Sequence, residues 1–137
     1  MDKKILQEKY VELQLLSMQI KQLEEQLSLL DQKSAELANL HDALHKLHEL
    51  KPGTKSFVPI GPGVFASGAI EHTNEVLLNV GAGVIVKKSV HEAEESVTKQ
   101  LEQLEDITLE LSHNLKEYIA KAQAVEAELN DLTVQEK

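Results

Sequence analysis

Apolar residues recur every three or four positions along two stretches that together make up most of this 137-residue chain, and such a pattern folds only by burying one stripe against another helix. The first series runs Leu6, Leu13, Ile20 and Leu27, interleaved with Leu16, Leu23, Leu30 and Leu37. It continues through Leu40, Leu44 and Leu47 in a frame expected to slip by half a heptad near Ser34 to Leu37. The second places Val90, Val97, Leu104, Leu111, Tyr118, Val125 and Leu132 seven apart, with Leu101, Leu115, Ala122 and Leu129 between them. Each arm, at 1.5 Å per residue, reaches about 70 Å, far more than a compact domain uses.

The arms are bounded by local signals. Lys51-Pro52-Gly53 ends the first, since Pro52 disfavours helix at the residue before it and Gly53 tolerates a turn. Ser89-Val90-His91-Glu92 opens the second as a capping box, in which the Ser89 hydroxyl accepts the Glu92 amide and the Glu92 carboxylate reaches back. Three segments follow: an N-terminal helix over 1–51, a centre over 52–88 and a C-terminal helix over 89–137. The reading is α+β, a long antiparallel α-helical coiled coil tethered by a β-rich centre.

That centre contains an internal repeat. Ile60-Gly61-Pro62-Gly63-Val64-Phe65 returns twenty residues later as Val80-Gly81-Ala82-Gly83-Val84-Ile85, each copy a Gly-x-Gly turn between apolar, β-branched runs. Two β-hairpins are expected, with strands over 57–60, 64–70, 75–80 and 84–87 and a turn at His72-Thr73-Asn74. Apolar residues fall on both faces, for Val76, Leu77 and Leu78 are consecutive, as are Val84, Ile85 and Val86. A four-stranded sheet covered only by two helix ends leaves a face and its edges in water. Closing strands from several subunits into an intersubunit β-barrel removes both problems. The residues expected to make that assembly surface are Val58, Ile60, Val64, Phe65, Ile70, Val76, Leu78, Val80, Val84 and Val86.

Several function classes are excluded by the composition. Without cysteine there is no disulfide framework and no thiolate metal site. The net charge of −9 comes mostly from residues 92–137, with twelve acids against four lysines. All fourteen basic residues are lysine, so the guanidinium fork favoured in base and phosphate recognition is missing and no nucleic-acid partner is expected. The acidic helix reads as a solvated face or as an electrostatic surface for a basic partner. The polar heptad pattern after Met1 has neither the apolar core of a signal peptide nor a membrane span, which gives an expectation of a soluble, cytoplasmic protein with no membrane partner.

Nothing in the chain calls for enzymatic chemistry or a cofactor. Gly61-Pro62-Gly63 through Gly68 does not fit Gly-x-Gly-x-x-Gly, and no Gly-Lys-Ser/Thr follows. His41, His45 and His48 share a helical face, as zinc ligands do, but no His-Glu-x-x-His motif accompanies them. They read as solvated or seam-edge histidines, with no catalytic, cofactor or metal site assigned.

The motif Val58-Pro59-Ile60-Gly61 and, above all, Val76-Leu77-Leu78-Asn79-Val80-Gly81-Ala82-Gly83-Val84-Ile85-Val86-Lys87-Lys88 resembles the central region of prefoldin α subunits. Helix, two hairpins and helix cover essentially the whole chain, and two hairpins match the α class rather than the one-hairpin β class. The resemblance implies an ATP-independent co-chaperone of archaeal type, in which two α and four β subunits form an α2β4 hexamer. It further implies hairpins closed into β-barrels and coiled-coil tips that hold non-native polypeptide clients for a group II chaperonin.

The helix pattern then suggests where clients bind. Val11, Leu15 and Met18, spaced four and three, form a second stripe on the far side of the first helix, with Ile5 and Tyr10 beside the seam. Antiparallel pairing makes partner numbers sum to roughly 140, which brings Leu6 and its neighbours near Leu129, Leu132 and Val134. These nine residues are the expected client-contacting tip, whose free ends fray and expose seam residues transiently. The competing readings are packing against another subunit's helix, ordinary surface apolar residues, and a structural tether or scaffold subunit that binds one defined partner. The same arithmetic expects His45 near Glu94, and a weakened layer and bending point where Ser34 meets Thr108.

Overall fold

The computed structural model describes residues 2–135. Helix α1 (Asp2–Glu49) is followed by strands β1 (Thr54–Gly61), β2 (Val64–Ile70), β3 (Glu75–Gly81) and β4 (Val84–Ser89), then by helix α2 (Val90–Gln135). The chain divides into two compact units, one formed by the chain up to Lys33 together with the chain from Gln103 onward, the other by Ser34–Glu102. Among the described residues no helix is long and apolar enough to cross a membrane.

In the first unit the two helices pack antiparallel around Leu16, Val125 and Leu129, with Leu6, Leu13, Tyr118 and Ala122 against them. At a seam level otherwise occupied by leucine, the Lys9 ammonium reaches Glu128 at 2.6 Å. Lys121 lies 5.6 Å from the centroid of the Tyr118 ring, adding a cation–π contact at the seam's edge.

In the second unit the buried residues are Leu37, Leu44, Val90, Ala93 and Val97. His45 lies 4.0 Å from Glu94, the pair that antiparallel register predicts, and 3.4 Å from Glu49. The register thus holds in each unit, through 9 with 128 in one and 45 with 94 in the other.

One expectation about α1 is corrected. Burial follows Leu27, Leu30, Ser34, Leu37, His41 and Leu44 in an unbroken alternation of three and four, with Ser34 and His41 half-buried and Leu40 42% exposed. No half-heptad slip occurs near Ser34. A slip rotates every later side chain off the seam, and leaving one serine and one histidine at its edge costs less than exposing Leu37 and Leu44. Ser34 and Thr108 are both half-buried.

The centre also differs from a single four-stranded sheet: among the described residues β1 pairs only with β2, and β3 only with β4, giving two antiparallel sheets of two strands. A backbone bond closes the base of each hairpin beside a helix end. The Gly53 amide donates to the Ile70 carbonyl at 2.7 Å just beyond α1, and the Val90 amide donates to the Asn74 carbonyl at 2.9 Å as α2 begins. The first bond also explains why β1 starts at Thr54 rather than at 57, since Thr54 pairs with Ile70 although Thr54-Lys55-Ser56 has no apolar alternation.

The two turns of the repeat are not equivalent. Pro62 fixes a negative φ, so only Gly63 turns left-handed, at φ 70°, as in a type II turn. In the second copy Ala82 (φ 52°) and Gly83 (φ 75°) are both left-handed, as in a type I′ turn, and the Gly81 amide donates to Asn79 Oδ1 at 3.0 Å. At α2 the Glu92 amide donates to Ser89 Oγ at 3.0 Å, which completes half of the capping box. The Glu92 carboxylate accepts from the Ser89 hydroxyl at 3.1 Å rather than from the Ser89 amide.

Candidate functional site

Two exposed apolar surfaces stand out, one in each unit. In the first, Val11, Leu15 and Met18 are 50%, 56% and 62% exposed, on the side of α1 opposite the seam formed by Leu6, Leu13 and Leu16. Tyr10 and Ile5 are also exposed, and Leu6 is half-buried. One shallow groove runs between the seam and this face, lined by Tyr10, Leu13, Gln14, Ser17 and Met18, and another lies on the face itself, lined by Lys4, Gln7, Glu8 and Val11.

On α2 the three tip residues separate. Leu129 is buried in the seam, Leu132 is half-buried and Val134 is exposed. Leu129 therefore meets an incoming chain only if the seam opens. Leu29, at 65% exposure, continues the outer stripe of α1 beyond Met18. Its spacing from Leu15 is two heptads, a signal present in the sequence and masked by the adjacent seam residue Leu30.

Electrostatics at this end centres on Lys9. Its ammonium lies between Glu128 and Glu12, the latter at 3.7 Å. The hydrogen bond to Glu128 is the main cause of a raised Lys9 pKa, and partial desolvation opposes it.

The second surface belongs to the hairpins. Of the residues expected there, Val58, Ile60, Val64, Phe65, Val80 and Val84 are exposed, whereas Ile70, Val76, Leu78 and Val86 are half-buried. The ladder pairs Pro59 with Phe65 and Phe57 with Ser67, so both phenylalanines lie on one face of β1–β2, Phe57 at 73% exposure. On β3–β4 the corresponding outward face carries Leu77 beside Lys87 and Ile85 beside Asn79. A Lys87 to Glu75 contact of 3.6 Å crosses it. Isolated two-stranded sheets are marginal in water, and these keep both edges unpaired among the described residues.

Neither surface gathers catalytic chemistry. Among the described residues no three His, Asp or Glu side chains come together as a metal site. His91 and His113 each contact the glutamate one turn on, Glu95 at 3.0 Å and Glu117 at 3.2 Å, on open helix surface.

Two long helices joined by two antiparallel hairpins, with exposed apolar residues on the hairpins and along the outer face of α1, define a class of coiled-coil subunits. The sequence profile described as Prefoldin subunit matches residues 16–135, and the chain belongs to the prefoldin family, a non-enzymatic one. It is 34% identical to prefoldin subunit alpha of Methanobrevibacter smithii over 69% of this chain and 64% of that one. That match spans less than two thirds of the relative's length. It is 32% identical to prefoldin subunit alpha of Pyrococcus horikoshii over 84% of this chain and 83% of that one. The cryo-EM structure of filamentous PFD from Methanocaldococcus jannaschii shares the fold, with TM-score 0.74 and 24% identity over 84% of this chain and 95% of that one.

Proposed function

We propose that this chain is an ATP-independent co-chaperone subunit that captures non-native polypeptides at its coiled-coil tip and passes them to a group II chaperonin. The observation that carries the reading is the second stripe. Three aliphatic side chains in two helical turns are each half exposed or more and have no seam to fill. Met18 suits such a role because its unbranched, polarisable side chain adapts to varied surfaces.

Assembly follows from the hairpins. Prefoldin β subunits supply the strands that cover the unpaired edges, in an α2β4 hexamer whose hairpins close into β-barrels. Several tips then act on one client, so that weak contacts sum to useful avidity. The archaeal α subunits among the relatives support this arrangement, and its place is the cytoplasm, where a group II chaperonin receives the client.

A second reading, a tether that binds one defined helix, is favoured by the helical spacing of the same stripe. One experiment separates the two. Replacing Val11, Leu15 and Met18 together by serine in the assembled protein abolishes suppression of aggregation for several unrelated clients while native mass is unchanged. Suppression that survives the triple replacement removes the stripe from client capture, and saturable binding of a single protein with no effect on unrelated clients supports the tether.

A further inference from the structure

The charge around the outer stripe of α1 does not match the charge of the chain. The protein carries −9, and on α2 the exposed Ile107 and Leu109 sit among Glu105, Asp106 and Glu110. The α1 stripe is bordered instead by amides. Five of the chain's ten glutamines fall between residues 7 and 26, and all five are exposed. At 3.6 residues per turn, Gln7 and Gln14 line one border, Gln19 and Gln26 the other, and Gln22 sits in the stripe between Met18 and Leu29. The ionic groups on this face nearly cancel, Lys4 and Lys21 against Glu8 and Glu25, and Glu12 is already within 3.7 Å of Lys9.

We propose that this face is a charge-indifferent receptor for aliphatic-rich, unfolded polypeptide segments. Val11, Leu15 and Met18 take the apolar side chains, while the carboxamides of Gln7, Gln14, Gln19 and Gln26 hydrogen-bond the segment's unpaired backbone groups. A carboxamide offers two donors and an acceptor, so it meets either backbone group in either chain direction. Being neutral, it adds no Coulomb preference for the side chains that accompany the backbone, and it is cheaper to desolvate than a carboxylate or ammonium. A glutamate border on an acidic protein repels acidic segments, and a lysine border rejects basic ones. An amide border accepts both, which a receptor for unrelated unfolded chains requires. This inference rests on the capture reading above and names the class of segment captured.

The test uses the assembled protein and two labelled peptides with the same aliphatic core, one flanked by lysines and one by aspartates, read by fluorescence anisotropy. Wild type is expected to bind them within about threefold of each other, with little change between roughly 50 and 300 mM salt. The variant Q7E/Q14E/Q19E/Q26E keeps its helix content, since Glu and Gln have nearly equal helix propensity, and loses the acidic peptide by about tenfold or more, with strong salt dependence. Discrimination beyond about tenfold by wild type, or a glutamate variant that stays indifferent, overturns the inference. The serine variant of Val11, Leu15 and Met18 separates the two failures. If it releases both peptides while wild type selects by charge, only the amide role is wrong; if it releases neither, or if wild type binds neither, the capture reading falls as well.

Discussion

Leu15 and Leu16 are neighbours in sequence with opposite surroundings, and truncating each in turn tests the rotation of α1 on which the functional reading depends. Leu16 is 7% exposed and packs with Val125 and Leu129, whereas Leu15 is 56% exposed on the outer face. Leu16→Ala removes buried methyl groups and leaves a void beside Val125, at a cost of about 3 kcal/mol. Leu15→Ala removes atoms already in water, and its effect on stability stays within about 0.5 kcal/mol. Client binding reverses the order. Covering the exposed part of one such aliphatic side chain contributes about 1 kcal/mol, so Val11, Leu15 and Met18 together contribute about 3 kcal/mol, or about a hundredfold in affinity per tip. Circular-dichroism melting with amide exchange across 5–20 reads the first quantity, and anisotropy of a labelled unfolded peptide reads the second. Equal destabilisation by the two alanines, or a neutral Leu16→Ala, refutes the assignment of faces.

Three further predictions concern single interactions. Ala82→Gly relieves a left-handed alanine and raises the melting free energy of the assembled protein by about 1 kcal/mol, while Ala82→Val lowers it, both read by denaturant titration. Ser89→Ala removes the acceptor of the Glu92 amide and costs about 1 kcal/mol, with faster exchange confined to the first turn of α2. The Lys9 pKa is raised above 10.5 by Glu128, so the contribution of this pair is complete below the unfolded value and is lost as pH rises through the folded one. The melting temperature of wild type, read by circular dichroism, therefore falls more steeply above that pH than that of Lys9→Met, which lacks this alkaline step.

Heptads, helix boundaries and hairpins were legible because each rests on local chemistry: a seven-residue repeat, Pro52 and Gly53, the Ser89 and Glu92 cap, and glycine turns. The misplaced frame near Ser34 shows where such reading stops. Apolar residues alone place the seam at Leu40, whereas the helix keeps its rotation and tolerates Ser34 and His41. Ala93, fully buried, is hidden from a periodicity reading because a single methyl gives little apolar signal. That the two hairpins form two separate sheets was not readable, since apolar runs do not say which edge pairs with which, and the bonds through Ile70 and Asn74 are backbone bonds. At the candidate site the outer stripe was visible from spacing alone. Its amide border gained meaning only when exposure set those glutamines against the acidic surface elsewhere.

The most direct test of the account is aggregation of a denatured, unrelated protein in the presence of this chain and an archaeal prefoldin β subunit, without nucleotide, alongside native mass of the mixture. The expected result is a hexamer that suppresses aggregation of several clients and loses suppression, not mass, when Val11, Leu15 and Met18 become serine. A defined oligomer that leaves every client to aggregate contradicts it.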